Sequence, residues 1–204
     1  MYTDVCELKK DYQEKKTEIT NRLQEFRETT CDDYFYELCF CLLTPQTKGR
    51  RADLAIQKLK EADFQNQAVE PVYALKKYVR FHNTKATRLL VFKEQYKDIF
   101  LSLAEIEREF DKRAYLVQQI NGLGMKEASH YLRNIGYKGL AILDRHILRC
   151  LVSLQIIKKM PKTLTVKQYI EIERRFSKFS REINIQMDAL DLLFWSDATG
   201  EIFK

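Results

Sequence analysis

Residues 120–129 read INGLGMKEAS, and this stretch has the form apolar-x-Gly-x-Gly-x-Lys-x-Ala between two segments of helical periodicity. Glycines in a short turn between helices permit positive φ angles and leave backbone N–H groups uncovered. A row of such groups at the start of a helix suits a phosphate. The alternative interpretation is a plain helix hairpin, because short glycine-bearing connections between helices are common.

The rest of the chain predicts an all-α protein. Six glycines and three prolines among 204 residues favour long helices over a turn-rich sandwich or barrel. Thr44-Pro45 is expected to begin the third helix as its N-cap and first-turn proline, with Gln46 following at the helix start. Apolar periodicity and end signals predict helices over residues 4–26, 34–43, 46–62, 70–78, 85–96, 103–110, 111–120, 125–134, 144–154, 166–179 and 184–198.

The charge and the cysteine content indicate which class of partner and which cellular compartment suit the chain. The chain carries 35 Lys and Arg against 29 Asp and Glu, a net charge of +6 that suits a polyanion, although solvated lysines alone often produce such a charge. The five cysteines form no Cys-x-x-Cys pair, so neither a disulfide framework nor a zinc site follows. No signal peptide or membrane-spanning stretch is evident. We expect a cytoplasmic monomer without a membrane partner.

Asp144 follows Lys126 by eighteen positions and opens the next predicted helix. The glycine hairpin resembles a helix-hairpin-helix, and the Lys–Asp pair resembles the bifunctional branch of the helix-hairpin-helix DNA glycosylase superfamily. Residues 121–151, NGLGMKEASHYLRNIGYKGLAILDRHILRCL, resemble the archaeal-type 8-oxoguanine DNA glycosylase/lyase family. Further matches to that family are CLLTPQT at 41–47, VRFHNTKA at 79–86, Trp195 and the terminal Lys204.

The resemblance implies the fold and its division into parts. It predicts a helix-hairpin-helix DNA glycosylase fold with two helical lobes flanking a cleft. One lobe would run from about residue 31 to 136 and end with the hairpin, and the other would join about 1–30 to 137–204. No iron–sulfur cluster is expected, because Cys150 is the only cysteine after Cys41 and a cluster needs four cysteine ligands.

The resemblance also implies a reaction on double-stranded DNA that contains oxidised guanine. Lys126 would attack C1′ of the sugar and form a Schiff base, through which the strand is cut by β-elimination. Asp144 would orient or deprotonate the amine and stabilise the cationic sugar. Its ordinary structural role, as the cap of its helix, is compatible with this one. A lysine amine is otherwise protonated at neutral pH, so the reaction requires desolvation or neighbouring cations.

Recognition of the base is assigned by resemblance to Trp195, as an aromatic face for the flipped base, and to Lys204, which would help to distinguish 8-oxoguanine from guanine. Extrusion of the base from the duplex costs a few kcal/mol (~2–4), which a pocket must offset. Each residue has an ordinary alternative. Trp195 lies in an apolar run typical of a core, and a terminal lysine is normally frayed and inert.

DNA contacts are predicted from the hairpin glycines Gly122 and Gly124 and from two other segments. Phe81 is a candidate wedge that fills the space left by the flipped base, and Arg80 is a candidate probe of the partner base. Gln46 is a further candidate for DNA contact. Loop packing is the alternative explanation for Arg80 and Phe81.

Cofactor requirements are expected to be small. By position, the family resemblance predicts a structural monovalent cation held by the main-chain oxygens of Gln118, Ile120 and Leu123, and no other cofactor. Two functional alternatives are left open by the sequence. One is a glycosylase/lyase for another damaged base, and the other is a non-catalytic helix-hairpin-helix module that only binds DNA.

Overall fold

The computed structural model describes residues 2–204, and over that range its regular structure consists of ten α-helices and no strand, which confirms the all-α prediction. The helices are α1 Val5–Arg27, α2 Cys31–Leu43, α3 Gly49–Glu61, α4 Val72–Leu75, α5 His82–Glu105, α6 Glu109–Gln119, α7 Met125–Asn134, α8 Arg145–Ser153, α9 Val166–Ile183 and α10 Met187–Thr199. None of the helices within residues 2–204 combines the length and the apolar character needed to cross a membrane.

Residue contacts divide the chain into two compact units. One is Thr29–Tyr131, and the other joins the residues up to Glu28 to Leu132–Lys204. In the first unit, α2 is apolar on nearly all sides and is therefore buried almost throughout. Phe35 lies at its centre, with ring centroids 5.3 Å from Phe92 and 4.9 Å from Tyr96. This aromatic cluster anchors α5, which carries part of the candidate site.

The second unit is built around α10, which is likewise buried along most of its length. Phe194 of this helix packs against Tyr2 and Phe176, with ring centroids 5.9 Å and 6.0 Å away. Asp191, also on α10, forms an ion pair of 3.2 Å with Arg133, and both side chains are almost wholly buried. A buried pair of this kind costs desolvation, and removal of either partner alone would leave an uncompensated buried charge.

Some predicted boundaries are wrong for identifiable reasons. Residues 85–96 and 103–110 were expected to form separate helices, but α5 runs unbroken to Glu105 because nothing between those segments breaks a helix. Thr44-Pro45 does not begin α3, whose N-cap is Lys48. Gln46 has a φ angle of 56° and lies in the preceding turn, so it is not the first residue of a helix. The helix expected over 70–78 is reduced to α4.

Candidate active site

The predicted hairpin is formed by the end of α6, a short turn and the start of α7. The N–H of Ile120 closes α6 on the oxygen of Leu116 at 3.0 Å, and the N–H of Leu123 donates to the oxygen of Ile120 at 3.1 Å. Gly122 has a φ angle of 89°, whereas Gly124 is not in the left-handed region. Ala128 is completely buried, as expected of a small residue between closely packed helices.

Lys126 lies in the first turn of α7, directly after the hairpin turn, at the end of the helix where N–H groups have no helical partner. Its side chain is 25% exposed, and Nζ lies 3.2 Å from Oε1 of Glu127. The amine is therefore reachable from solvent and has a carboxylate beside it. Sequence analysis did not identify Glu127, because adjacent residues on a helix do not normally face each other.

Lys126 is one of several charged side chains of the same unit that interact with Lys85. Lys85 is almost wholly buried, and its pKa is lowered to about 8, first by burial and then by the positive charges of Arg88 and Arg80. Lys126 adds to that lowering and Glu127 opposes it. The structure thus gathers four basic side chains and one acid into an electropositive region, which suits a phosphate backbone. Of these residues, Lys85, Arg88 and Glu127 had not been predicted.

Gln46 and the Arg80–Phe81 pair lie on two turns that the structure links. Gln46 is exposed, and Phe81 has 56% of its surface exposed. Both adopt left-handed conformations, with φ angles of 56° and 57°. The N–H of Arg80 donates to Oγ1 of Thr47 at 3.3 Å, which ties the two turns together. Phe81 is therefore an exposed aromatic side chain on a turn that is hydrogen-bonded to the turn of Gln46.

Asp144 belongs to the other unit, where it is the N-cap of α8 as predicted. Its Oδ1 accepts a hydrogen bond from the N–H of Ile147 at 2.8 Å, which fixes the direction of the carboxylate. Cys150 of the same helix is buried, and its pKa is raised to about 11, first by burial and then by the negative charges of Asp197 and Asp144. This thiol is therefore not a nucleophile at neutral pH.

Trp195 and Lys204 lie in the same unit as Asp144. Trp195 is only half-buried, unlike the three residues before it, and its ring centroid lies 5.0 Å from that of His146 on α8. The oxygen of Trp195 accepts a hydrogen bond from the hydroxyl of Thr199 at 2.8 Å. After α10 the tail packs down, with Ile202 buried and Lys204 half-buried. The terminal lysine is therefore not a freely frayed side chain.

The carbonyl groups of Gln118, Ile120 and Leu123 lie at the end of α6 and in the hairpin turn. The oxygen of Ile120 accepts from the N–H of Leu123, but a carbonyl oxygen has two lone pairs, and oxygen ligands of this type suit a hard monovalent cation. The donor set therefore fits such an ion. Among residues 2–204, no group of three or more His, Cys, Asp and Glu side chains is arranged to hold a metal.

Comparisons with known proteins agree on one family. Residues 19–185 match a family model described as 8-oxoguanine DNA glycosylase. The chain is 41% identical, over 97% of its length and 96% of the relative's, to the 8-oxoguanine DNA glycosylase/AP lyase of Fusobacterium nucleatum. It is 37% identical, over 94% of both chains, to the protein of the same name from Methanocaldococcus jannaschii.

Solved structures give the same result. The M. jannaschii 8-oxoguanine glycosylase/lyase, crystallised with a 15mer DNA containing 8-oxoguanine, superposes with a TM-score of 0.87 at 33% identity, over 97% of this chain and 99% of that one. The 8-oxoguanine DNA glycosylase of Thermotoga maritima superposes with a TM-score of 0.86 at 27% identity, over 97% of each chain. Both likenesses extend over nearly the whole of the helical fold.

Proposed function

The chain belongs to the 8-oxoguanine DNA glycosylase family, and we propose that it removes 8-oxoguanine from double-stranded DNA and then cleaves the strand at the resulting site. The observation that carries this proposal is the position of Lys126, whose partly exposed amine follows the hairpin turn in an electropositive region. The hairpin turn would bind the DNA backbone through Gly122 and Gly124. The shared name of the relatives supports the choice of substrate and of both activities.

In the first step, the neutral amine of Lys126 attacks C1′ of the damaged nucleotide. The C1′–N9 bond breaks, and its electron pair leaves with the base, which takes up a proton. The amine in turn loses a proton to a carboxylate, the role proposed for Asp144. That carboxylate also stabilises the positive charge that develops on the sugar. Its use as a helix cap supports this role, because the cap holds one carboxylate oxygen in a fixed direction.

In the second step, the sugar ring opens as the C1′–O4′ bond breaks and O4′ takes up a proton, which leaves a Schiff base between C1′ and Lys126. The iminium makes the 2′ hydrogen acidic. Loss of that proton to solvent water converts the iminium into an enamine, whose electron pair then expels the 3′ phosphate as the C3′–O bond breaks. Water then hydrolyses the Schiff base and frees the lysine. No step transfers electrons to or from another molecule, so the reaction needs no redox cofactor.

Recognition of the lesion is proposed to use five of the residues that the sequence predicted. Trp195 offers an aromatic face to the flipped base, supported by its half-buried ring beside His146. Lys204 assists in distinguishing 8-oxoguanine from guanine. Phe81 fills the space that the base leaves, Arg80 contacts the partner base, and Gln46 contacts DNA nearby. The exposure of Phe81 and Gln46 supports these roles.

A monovalent cation is proposed to bind the carbonyl oxygens of Gln118, Ile120 and Leu123. Such an ion would add positive charge beside the DNA backbone and hold the hairpin turn in one conformation. It would take no part in bond breaking. The hairpin residues themselves orient the backbone relative to Lys126.

Borohydride trapping tests the nucleophile, because reduction converts a Schiff base into a stable amine link. We expect the chain to form a covalent adduct with a duplex containing 8-oxoguanine, and Lys126→Ala to form none. Lys58→Ala, which removes an exposed lysine of α3, is the control and should trap normally. Equal trapping by Lys126→Ala would overturn the assignment of the nucleophile. Duplex binding without base release by the unaltered chain would support the non-catalytic module instead.

The identity of the lesion requires a separate experiment. A panel of damaged bases placed in otherwise identical duplexes should give the fastest single-turnover release for 8-oxoguanine. Release of another base at a higher rate would favour a glycosylase of different specificity. Because all duplexes share one sequence, differences in backbone binding cannot explain such a result.

A further inference from the structure

Lys85, on the first turn of α5, makes hydrogen bonds that the proposed reaction does not use. Its side chain is 2% exposed, and its ammonium group donates to three oxygens: Leu43 O at 2.7 Å, Pro45 O at 2.7 Å and Thr47 Oγ1 at 3.1 Å. An ammonium group has three donors, so each has a partner here. All three acceptors lie within five residues, at the end of α2 and in the turn that follows it.

These acceptors enclose Gln46. The oxygen of Pro45 precedes it and the hydroxyl of Thr47 follows it, so Lys85 holds the chain on both sides of a residue in the left-handed conformation. Non-glycine residues in that conformation are strained and persist only where their surroundings define them. The hydrogen bonds of Lys85 stabilise this conformation of Gln46, whose own side chain is exposed.

Lys85 also holds the turn of Arg80 and Phe81. Its backbone N–H donates to the oxygen of Phe81 at 3.0 Å, and Oγ1 of Thr47 accepts from both Lys85 Nζ and the N–H of Arg80. Like Gln46, Phe81 is exposed, has a left-handed conformation and is one of the predicted DNA contacts. The Lys85 side chain therefore binds one strained turn directly and is linked to the other, more than thirty residues away in sequence, through the shared hydroxyl of Thr47. The bond from its backbone N–H to Phe81 is an ordinary bond of the first helical turn, which any residue except proline would make.

A role in simple core packing would not require this residue. Burial of a cation beside Arg80 and Arg88 is unfavourable, as the lowered pKa of about 8 shows. An apolar side chain of similar length would avoid that cost but would leave the enclosed carbonyls without donors. A lysine at this position thus stabilises one conformation of the two turns and does not add hydrophobic stabilisation.

We propose that Lys85 is a positioning residue that locks the 43–47 and 80–82 turns together, so that Gln46 and Phe81 are presented to DNA in one arrangement that promotes extrusion of the damaged base. This inference rests on the proposed function. Lys85 itself does not touch the reacting atoms. Its loss should affect the opening of a paired duplex more than the chemistry at the sugar.

The test compares Lys85→Met with Lys112→Met. Lys112 is a matched control, because it is also a buried lysine of this unit and donates to a carbonyl at a helix end, Leu103 O, at 2.7 Å. Single-turnover base release is measured with 8-oxoguanine in a fully paired duplex and in an unpaired bubble. For Lys85→Met we expect the rate of base release to fall by about 10-fold or more on the paired duplex. In the bubble it should fall by less than about 3-fold, because the damaged base there is already unpaired.

A merely structural role would lower both rates by similar factors in Lys85→Met, as expected for Lys112→Met, and that result would overturn the proposal. Should Lys85→Met fail to fold, Thr47→Val removes the shared acceptor and should show the same selective loss on the paired duplex. Equal loss on both substrates by Thr47→Val would be equally decisive against it.

A double-mutant cycle with Phe81→Ala gives a second readout. If Lys85 acts through Phe81, Lys85→Met should cost less than about 3-fold on the paired duplex once Phe81 has been truncated. Full additivity would contradict the inference. The proposed function is judged separately, since Lys126-dependent trapping in the bubble should persist in Lys85→Met. Absence of trapping in the unaltered chain would reject the proposed function itself.

Discussion

The guanidinium group of Arg88 on α5 lies against the backbone of Gly122 in the hairpin turn. A Cβ atom on Gly122 would lie 2.5 Å from Cζ of Arg88 and 2.6 Å from Nε, closer than atoms can approach. Gly122 also has a φ angle of 89°, in the region that side chains disfavour. The positive φ angle thus favours glycine at this position, and a larger residue would also have to displace the Arg88 guanidinium, which lies beside the predicted phosphate site.

Gly122→Ala is expected to lower the free energy of unfolding by about 1–2 kcal/mol through backbone strain and to displace the Arg88 guanidinium, which weakens duplex binding by about 10-fold. Gly139→Ala is the matched control for strain. Gly139 has a φ angle of 78°, and a Cβ atom there would meet no other atom within 4 Å. Denaturant unfolding and duplex titration at one salt concentration measure both effects. Gly139→Ala should lower the free energy of unfolding similarly but leave duplex binding unchanged, and equal losses of duplex affinity in the two variants would contradict this explanation.

Asp144→Asn should separate the cap from the chemistry. Asparagine caps a helix about as well as aspartate, so the free energy of unfolding should change by less than about 0.5 kcal/mol. Loss of the negative charge should slow single-turnover base release by about 100-fold or more. Asp4→Asn changes the equivalent cap of α1, where the carboxylate accepts from the N–H of Cys6 at 3.1 Å, and should leave the rate unchanged. A normal rate in Asp144→Asn would remove Asp144 from the proposed chemistry.

Lys85 should make the stability of the chain depend on pH in alkaline solution. Its pKa is about 8 in the folded chain, against an ordinary value of 10.5, because burial and the charges of Arg88 and Arg80 disfavour the ammonium form. Below about pH 8, Lys85 is protonated in both the folded and the unfolded chain, so the folded chain bears the full cost of burying the charge. Between pH 8 and 10.5 the unfolded chain binds more protons, so stability rises with pH relative to Lys85→Met, by up to about 3 kcal/mol. A flat difference between the two proteins across this range, measured by denaturant unfolding, would show that the lysine is not buried as a cation.

Trp195 should report base extrusion directly, because it is the single tryptophan of the chain and its ring is only half-buried. Stacking of a flipped base on the indole should quench its emission when a duplex containing 8-oxoguanine is added to Lys126→Ala, which binds without turnover. An undamaged duplex of the same sequence should produce a smaller change at equal saturation. Identical changes with both duplexes would place Trp195 outside the base pocket.

Local features explain how much of this fold and site could be predicted from sequence. Helical periodicity identified the all-α class, and α7 begins and ends at the predicted residues because a glycine turn and a helix-ending signal lie beside it in sequence. Asp144 was recognised as a cap because capping involves residues only three apart. The Lys126 position followed from the same local motif.

Contacts between residues far apart in sequence could not be predicted in this way. Local signals favoured a helix at Thr44-Pro45, but the carbonyls of this turn bind Lys85, about forty residues later, and Gln46 takes a left-handed conformation instead. The contact of Arg88 with Gly122 likewise depends on how α5 packs beside the hairpin. Sequence alone therefore determined the all-α class, most of the helices and the chemical groups available, because these follow from short-range interactions. Only the tertiary structure decided which turns are strained and which charged side chains lie near Lys85, because those depend on packing between distant segments.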